Sequence, residues 1–248
     1  MKKLTFVLAA IAGSTDVIGF LTLNGLFTAH ITGNLVILAA HVVNGAEAPL
    51  AHMLAVPVFV AALAATRLVA AGLERCAVPA LRPLLLAQLV LLGAFLAVGL
   101  AAGDAARPTV PAMIFAAMLG VSAMAVQSAL VKIALEGAPA TTVLTTNITL
   151  LTMDLGEMLL GRDASRRDKA RDRARRTWPA VAGFIVGSVL GAAGEAGFGL
   201  QCLVAPIALA FVATAMGVQL DRQRASPPSR STSMDSALRS MPNGDGSG

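Results

Sequence analysis

Charged side chains are scarce in this chain. Its 248 residues hold 19 Lys and Arg and 14 Asp and Glu, 13% of the total, where an ordinary soluble domain carries about 25%. Hydrophobic residues make up 56%, and mean hydropathy is +0.74. So few charges cannot cover so much apolar surface in a monomeric soluble fold of this length, which excludes that class. Cysteine is nearly absent. Cys76, in a short basic loop, and Cys202, in an apolar run, match no metal spacing and offer no disulfide framework. The three histidines, His30, His41 and His52, form no HExxH pair on one helix face. No GxGD surrounds Asp16 or Asp154, no GxSG accompanies a usable histidine, and there is no P-loop. Aspartyl and serine hydrolysis and ATP-driven transport within this chain are therefore set aside. The expectation is an all-α, multi-pass membrane protein that is not an enzyme and needs no metal or cofactor, with the lipid bilayer as its first partner.

The charges that are present are placed unevenly. Residues 162–176 hold eight of the nineteen Lys and Arg: Arg162, Arg166, Arg167, Lys169, Arg171, Arg173, Arg175 and Arg176, diluted by Asp163, Asp168 and Asp172. A net charge of +5 built this way, beside apolar segments, is a topology signal of short basic loops on the cytoplasmic side rather than a nucleic-acid site. Contact with anionic lipid also fits.

Apolar segments fall at about 4–23, 26–43, 50–71, 84–103, 110–134, 140–160, 178–199 and 201–220. Breaks stand at Asn24-Gly25, Asn44-Gly45, Pro79, Arg82-Pro83, Gly103-Asp104, Arg107-Pro108, Glu136-Gly137 with Pro139, and Trp178-Pro179. Met1-Lys2-Lys3 and the run after it imitate a signal peptide, but the apolar run continues past Asp16 and reads as an uncleaved first span. If 4–43 and 110–160 each make one net crossing, six crossings put Lys2-Lys3, 67–82, 162–176, Arg222 and Arg224 in the cytoplasm. The connections 44–49 and 104–109 then fall outside. The membrane domain spans 1–220, and the Ser-, Pro-, Arg- and Gly-rich 221–248 reads as a disordered cytoplasmic tail.

The two halves echo each other. Gly13-Ser14-Thr15-Asp16, Asn24-Gly25 and Thr32-Gly33-Asn34 have counterparts in Gly120-Val121-Ser122-Ala123, Glu136-Gly137 and Thr145-Thr146-Asn147. Three crossings per half make this an inverted repeat, about 4–103 and 110–220, each half opening with a broken or re-entrant segment. Paired breaks of this kind point to a transporter binding site.

Gly13 through Asp16, Phe27 and Thr32-Gly33-Asn34 resemble the YoaK-like family of bacterial membrane proteins, also called DUF1275 or UPF0700. The family's second half looks like GLQNA, TTxxTG and LTDLG. Here the counterparts are Ala125-Val126-Gln127-Ser128-Ala129, Thr141 to Thr146, and Leu151-Thr152-Met153-Asp154-Leu155-Gly156, with Thr146 at a glycine and Ser128 at an asparagine. The resemblance covers about 5–220. It implies a multi-pass protein of the bacterial inner membrane and carries no established activity.

Asp16 is the sharpest residue. It lies about thirteen residues into the first span, where an ionised carboxylate costs on the order of 2.5–3.5 kcal/mol. It reads either as a proton or cation site or as a brace to Asn34 or Thr32. Thr32, Gly33 and Asn34, with Thr142, Thr145 and Asn147, read as ligands at the breaks or as helix caps. Gln127 and Ser128 lie one turn past Ala123 and either line the same cavity or bond a neighbouring helix. Lys132 and Glu136 are spaced to pair as i, i+4, and Asp154 and Glu157 to meet the nearby arginines. Gly183, Gly187 and Gly191 form a small-residue stripe for helix packing, with a homo-oligomer seam as a second use. The leading expectation is a secondary transporter or permease for an unknown small solute, with Asp16 coupling a proton. The alternative is a non-transporting assembly, regulatory or lipid-associated protein.

Overall fold

The computed structural model describes residues 1–44, 49–102 and 111–225. These form α1 (Lys2–Thr22), α2 (Ile31–Val43), α3 (Leu50–Arg75), α4 (Leu81–Ala101), α5 (Pro111–Ala134), α6 (Leu144–Leu160), α7 (Ala164–Phe198), a 3-10 turn (Gly199–Leu203) and α8 (Val204–Ala225). The described residues are helical, with no strand. The apolar runs dictate this, because inside a bilayer a backbone must satisfy its own polar groups, and a helix does so within one segment. The chain is long and apolar enough to cross a membrane at α1, α3, α4, α5 and the joined stretch Ala164–Asp221. At 13 residues, α2 extends about 20 Å, short of a hydrocarbon core of about 30 Å.

α1 and α5 form the centre, with most of their lengths buried. α1 packs along α7 and also meets α8 and α5, while α5 packs on α4 and α3. α4 meets α8, and the remaining helix pairs are α2 with α3 and α6 with α7. Exchanging the first four helices for the last four, in order, returns the same set of pairs. Apolar side chains fill two clusters, one around Leu8, Leu85, Leu92 and Leu130 and one around Ile18, Leu26, Phe95 and Met113.

The α1–α7 seam is built on absent side chains. A methyl on Gly183 would overlap the Phe6 carbonyl, one on Gly187 the Ala10 carbonyl, and one on Gly13 the Phe184 carbonyl. At Gly191 it would come to 2.8 Å from the Ser14 Cα. Such close backbone approach maximises dispersion contact where lipid offers no hydrophobic drive for helices to associate. The stripe's packing role therefore lies within the chain. The second use weighed for Gly183, Gly187 and Gly191, a homo-oligomer seam, would have to share a face that α1 already occupies.

Three further expectations change. The basic segment 162–176 is not a loop: from Ala164 onward it forms the first turns of α7, a helix of 35 residues. Asp163 caps it by accepting from the Ser165 N–H at 2.9 Å, and Arg, Lys and Ala are strong helix formers. The Lys132–Glu136 pair is absent, because α5 ends at Ala134 and Glu136 has left the helix that would align it. Residues 221–225, expected in the tail, are instead the end of α8 (Val204–Ala225). Residues 45–48, 104–109 and 226–248, which carry the remaining expectations about connections and tail, lie outside the described residues. As the sequence leads one to expect, Asp154 meets an arginine. Arg173 donates to its Oδ1 through Nε at 2.9 Å and Nη2 at 2.6 Å.

Candidate functional site: two chain reversals and the cavity between them

α1 ends where Asn24 and Gly25 both take positive φ, 54° and 84°, and the Gly25 N–H reaches the Phe20 carbonyl at 2.9 Å. This left-handed close turns the chain back along α1. Residues 26–30 then lie beside the helix they have just left, with N–H groups that no helix satisfies. Asp16, only 3% exposed, supplies the acceptor. Its Oδ1 accepts from the Ala29 N–H at 2.7 Å, the His30 N–H at 3.3 Å and the Thr28 hydroxyl at 3.4 Å. Its Oδ2 lies 2.7 Å from His30 Nδ1. A carboxylate with four such partners is held by the fold; the expected links to Asn34 or Thr32 are not the ones it makes.

α5 repeats the manoeuvre in different chemistry. The chain reverses after Leu135 with Gly137 at φ 74°, and Thr141 and Thr142 return to α5. Gln127 Nε2 donates to the Thr141 hydroxyl at 2.9 Å and to the Leu8 carbonyl of α1 at 2.8 Å. Gln88 of α4 donates to Gln127 Oε1 at 2.6 Å, and the Ser128 and Thr142 hydroxyls lie 2.9 Å apart. Gln127 and Ser128 thus do for the second reversal what Asp16 does for the first. Ala123, the counterpart read from the sequence, has no side-chain group able to do so.

One asparagine fastens each short helix. Asn34 accepts from the Phe27 N–H at 2.9 Å and donates to the Phe27 carbonyl at 2.7 Å; Asn147 donates to the Ala140 carbonyl. Each asparagine is the fourth residue of its helix and reaches back seven positions. Asn34 is the one buried residue of α2, and Asn147 and Asp154 are those of α6. Asn34→Ala should therefore free 23–43 while sparing the centre. Hydrogen exchange should rise there and stay slow in α1, α5 and α7. Asn34→Asp should be worse, because it sets an acceptor against the Phe27 carbonyl; exchange at wild-type rates in both variants would remove the anchoring role.

Between the two reversals lies a cavity of about 610 Å³, within the range of small-molecule sites. Its wall joins His30 and Thr32 from the first reversal, Thr141 and Thr142 from the second, Ser128 and Lys132 from α5, and Phe59, Leu63 and Arg67 from α3. Of the residues singled out from the sequence as site candidates, Thr32, Ser128 and Thr142 line it. Asp16, Asn34, Gln127 and Asn147 sit behind its wall as braces, Gly33 packs on the Phe27 ring, and Thr145 is exposed outside it. Sequence reasoning missed His30, weighed only as a metal ligand, although its place two residues before Thr32 marks it as part of the break. It also missed Gln88, one more polar residue in an apolar run, and Arg67, read only as a topology charge.

No curated protein matches this chain, and no solved structure matches it. The family described as "Protein of unknown function (DUF1275)" matches residues 4–241, which takes in both reversals, the cavity and nearly all of the described helices. The chain belongs to the DUF1275 family.

Proposed function

We propose that the protein is a secondary transporter or permease for a small solute rather than an enzyme, with the cavity between the reversals as its binding site. The observation that carries this reading is that both reversals contribute wall to one cavity. Irregular backbone at membrane depth is tolerated where it is buried in protein or lines a cavity. In transporters built from repeats, the solute sits between paired interrupted helices. Two further features support the architecture. The helix pairing survives exchange of the two halves, as an internal repeat requires. Counting α1 with α2 and α5 with α6 as single crossings, and α7 and α8 as two, gives six crossings with both termini and the basic start of α7 in the cytoplasm of an inner membrane. Arg82 at the start of α4 and Asp221 near the end of α8 pair at 2.9 Å, which agrees with that count by putting those two ends on one side. Asp16 touches the cavity through His30, so a proton shared between them is the coupling this reading offers.

The rival, a non-transporting assembly protein, also has an observation in its favour: Asp16, Asn34, Gln127 and Asn147 are all bonded within the chain. A solute panel of mixed charge, read by thermal shift on the purified protein, separates the two. Transport predicts saturable stabilisation by at least one solute, lost in Leu63→Trp, which fills the cavity. Liposome flux then has to be lost in the same variant. No stabilisation by any solute, with Leu63→Trp melting like wild type, favours the assembly role.

A further inference from the structure

We infer that the cavity takes a small organic anion, an acid group on an apolar body, with the acid held by Arg67 and Lys132; this rests on the transport reading. The charges on the wall are one-sided. Arg67 and Lys132 line it, and among the described residues no Asp or Glu does. Asp16 is not on that wall, and its oxygens are committed to His30 and to the Ala29 and His30 N–H groups, so it pairs with neither cation. Arg67 meets Glu74 at 3.5 Å, but both side chains are more than half exposed, and such surface pairs hold weakly. Among the described residues Lys132 is in no ion pair, because the helix ends before Glu136 can reach it. Two cations beside one half-enclosed, low-dielectric space raise a positive potential that an anionic ligand would neutralise and a cationic one would meet as repulsion.

The uncharged part of the wall narrows the class. Ile31, Phe59, Leu63 and Val143 present apolar surface, suited to an aromatic or branched aliphatic body. Three of the four wall hydroxyls already have a partner: Thr141 accepts from Gln127, and Ser128 and Thr142 bond each other, while Thr32 is the fourth. A sugar or polyol would therefore meet few free partners and leave its own hydroxyls unpaired, which is costly away from water. An acid with an apolar body has one polar group to satisfy, and Arg67 and Lys132 supply charged donors for it.

The test uses the full chain in phosphatidylcholine nanodiscs with four probes of one shape: benzoate, phenyl phosphate, benzamide and benzylamine. At least one of the two anions should raise Tm saturably, and the neutral and cationic probes should not. Lys132→Gln and Arg67→Gln should each raise the half-saturating concentration of that anion by about tenfold or more, the usual consequence of losing one charge-assisted bond. Equal stabilisation by benzamide or benzylamine would overturn the anion assignment while leaving a solute site in place. Silence from all four probes overturns it as well, and the mixed panel with Leu63→Trp then decides separately whether any solute site exists. Replacing part of the phosphatidylcholine with phosphatidylglycerol is the last arm. If that alone stabilises wild type, cancels the benzoate effect and does neither in Lys132→Gln, the occupant is a lipid headgroup and the proposal falls.

Discussion

Gly187→Val is expected to yield no folded protein, whereas Gly72→Ala is expected to melt at the wild-type temperature or a few degrees above it. Both are glycines in long helices, and they differ in what a side chain would meet. At Gly187 even one methyl overlaps the backbone of Ala10, and at Gly72 a Cβ meets nothing within 4 Å. Overpacking against movable side chains costs about 1–3 kcal/mol, but a carbonyl in the neighbouring helix cannot rotate away. α7 must then lift off α1 along the seam that Gly183, Gly187, Gly191 and Gly13 share. Gly187→Ala should already lower Tm by about 4–12 °C. Gly72→Ala removes only glycine's entropic penalty, about 0.5–1 kcal/mol in its favour. Thermal melting followed by size-exclusion chromatography in detergent reads all three. Wild-type behaviour of Gly187→Val would mean that α1 and α7 do not touch there.

Asp16→Ala should destabilise far more than Asp16→Asn. Alanine leaves the Ala29 and His30 N–H groups, the Thr28 hydroxyl and His30 Nδ1 without their acceptor. Two stranded backbone donors alone cost roughly 2–6 kcal/mol, a large share of the about 5–15 kcal/mol that holds a folded protein together. Asparagine keeps a carbonyl oxygen for Ala29, and its amide can donate to His30 Nδ1 when the imidazole proton sits on Nε2. Its cost should be the difference between a charged and a neutral acceptor, about 1–2 kcal/mol. Combining Asp16→Asn with His30→Ala tests the link directly. The double variant should lose less than the sum of the singles, and strict additivity would separate the two residues. Equal melting of the alanine and asparagine variants would mean that the carboxylate does not hold the reversal.

Much of this was legible before any coordinates, and the failures follow one pattern. Apolar runs marked the helices, and Asn24-Gly25 and Gly137 marked the reversals, because span length and left-handed backbone are local properties. Asp16 stood out because a carboxylate in an apolar segment is costly wherever it points. Its partners did not stand out. Two of the four are backbone N–H groups, freed only because the chain doubles back, and the other two are side chains that the same reversal brings in. The glycine stripe announced a close helix contact but not whose, since periodicity describes one face and never the face opposite. Lys132 and Glu136 failed as a pair for a related reason: i, i+4 spacing implies contact only while the helix persists. Arg67, His30 and Lys132 meet at one cavity through the packing of α3 and both reversals on α5, which no single segment encodes.

The glycine seam also has a consequence for how the protein is made. α1 is synthesised well before its main partner, α7, which lies some 170 residues later in the chain. At about 5–20 residues per second, α1 spends roughly ten to thirty-five seconds in the insertion machinery or the bilayer before its cover arrives. Residues 28–30 follow directly, and they supply the four bonds that Asp16 receives. The partners of the first span's one acid are thus made within fourteen residues of it, long before the helix that packs along that span.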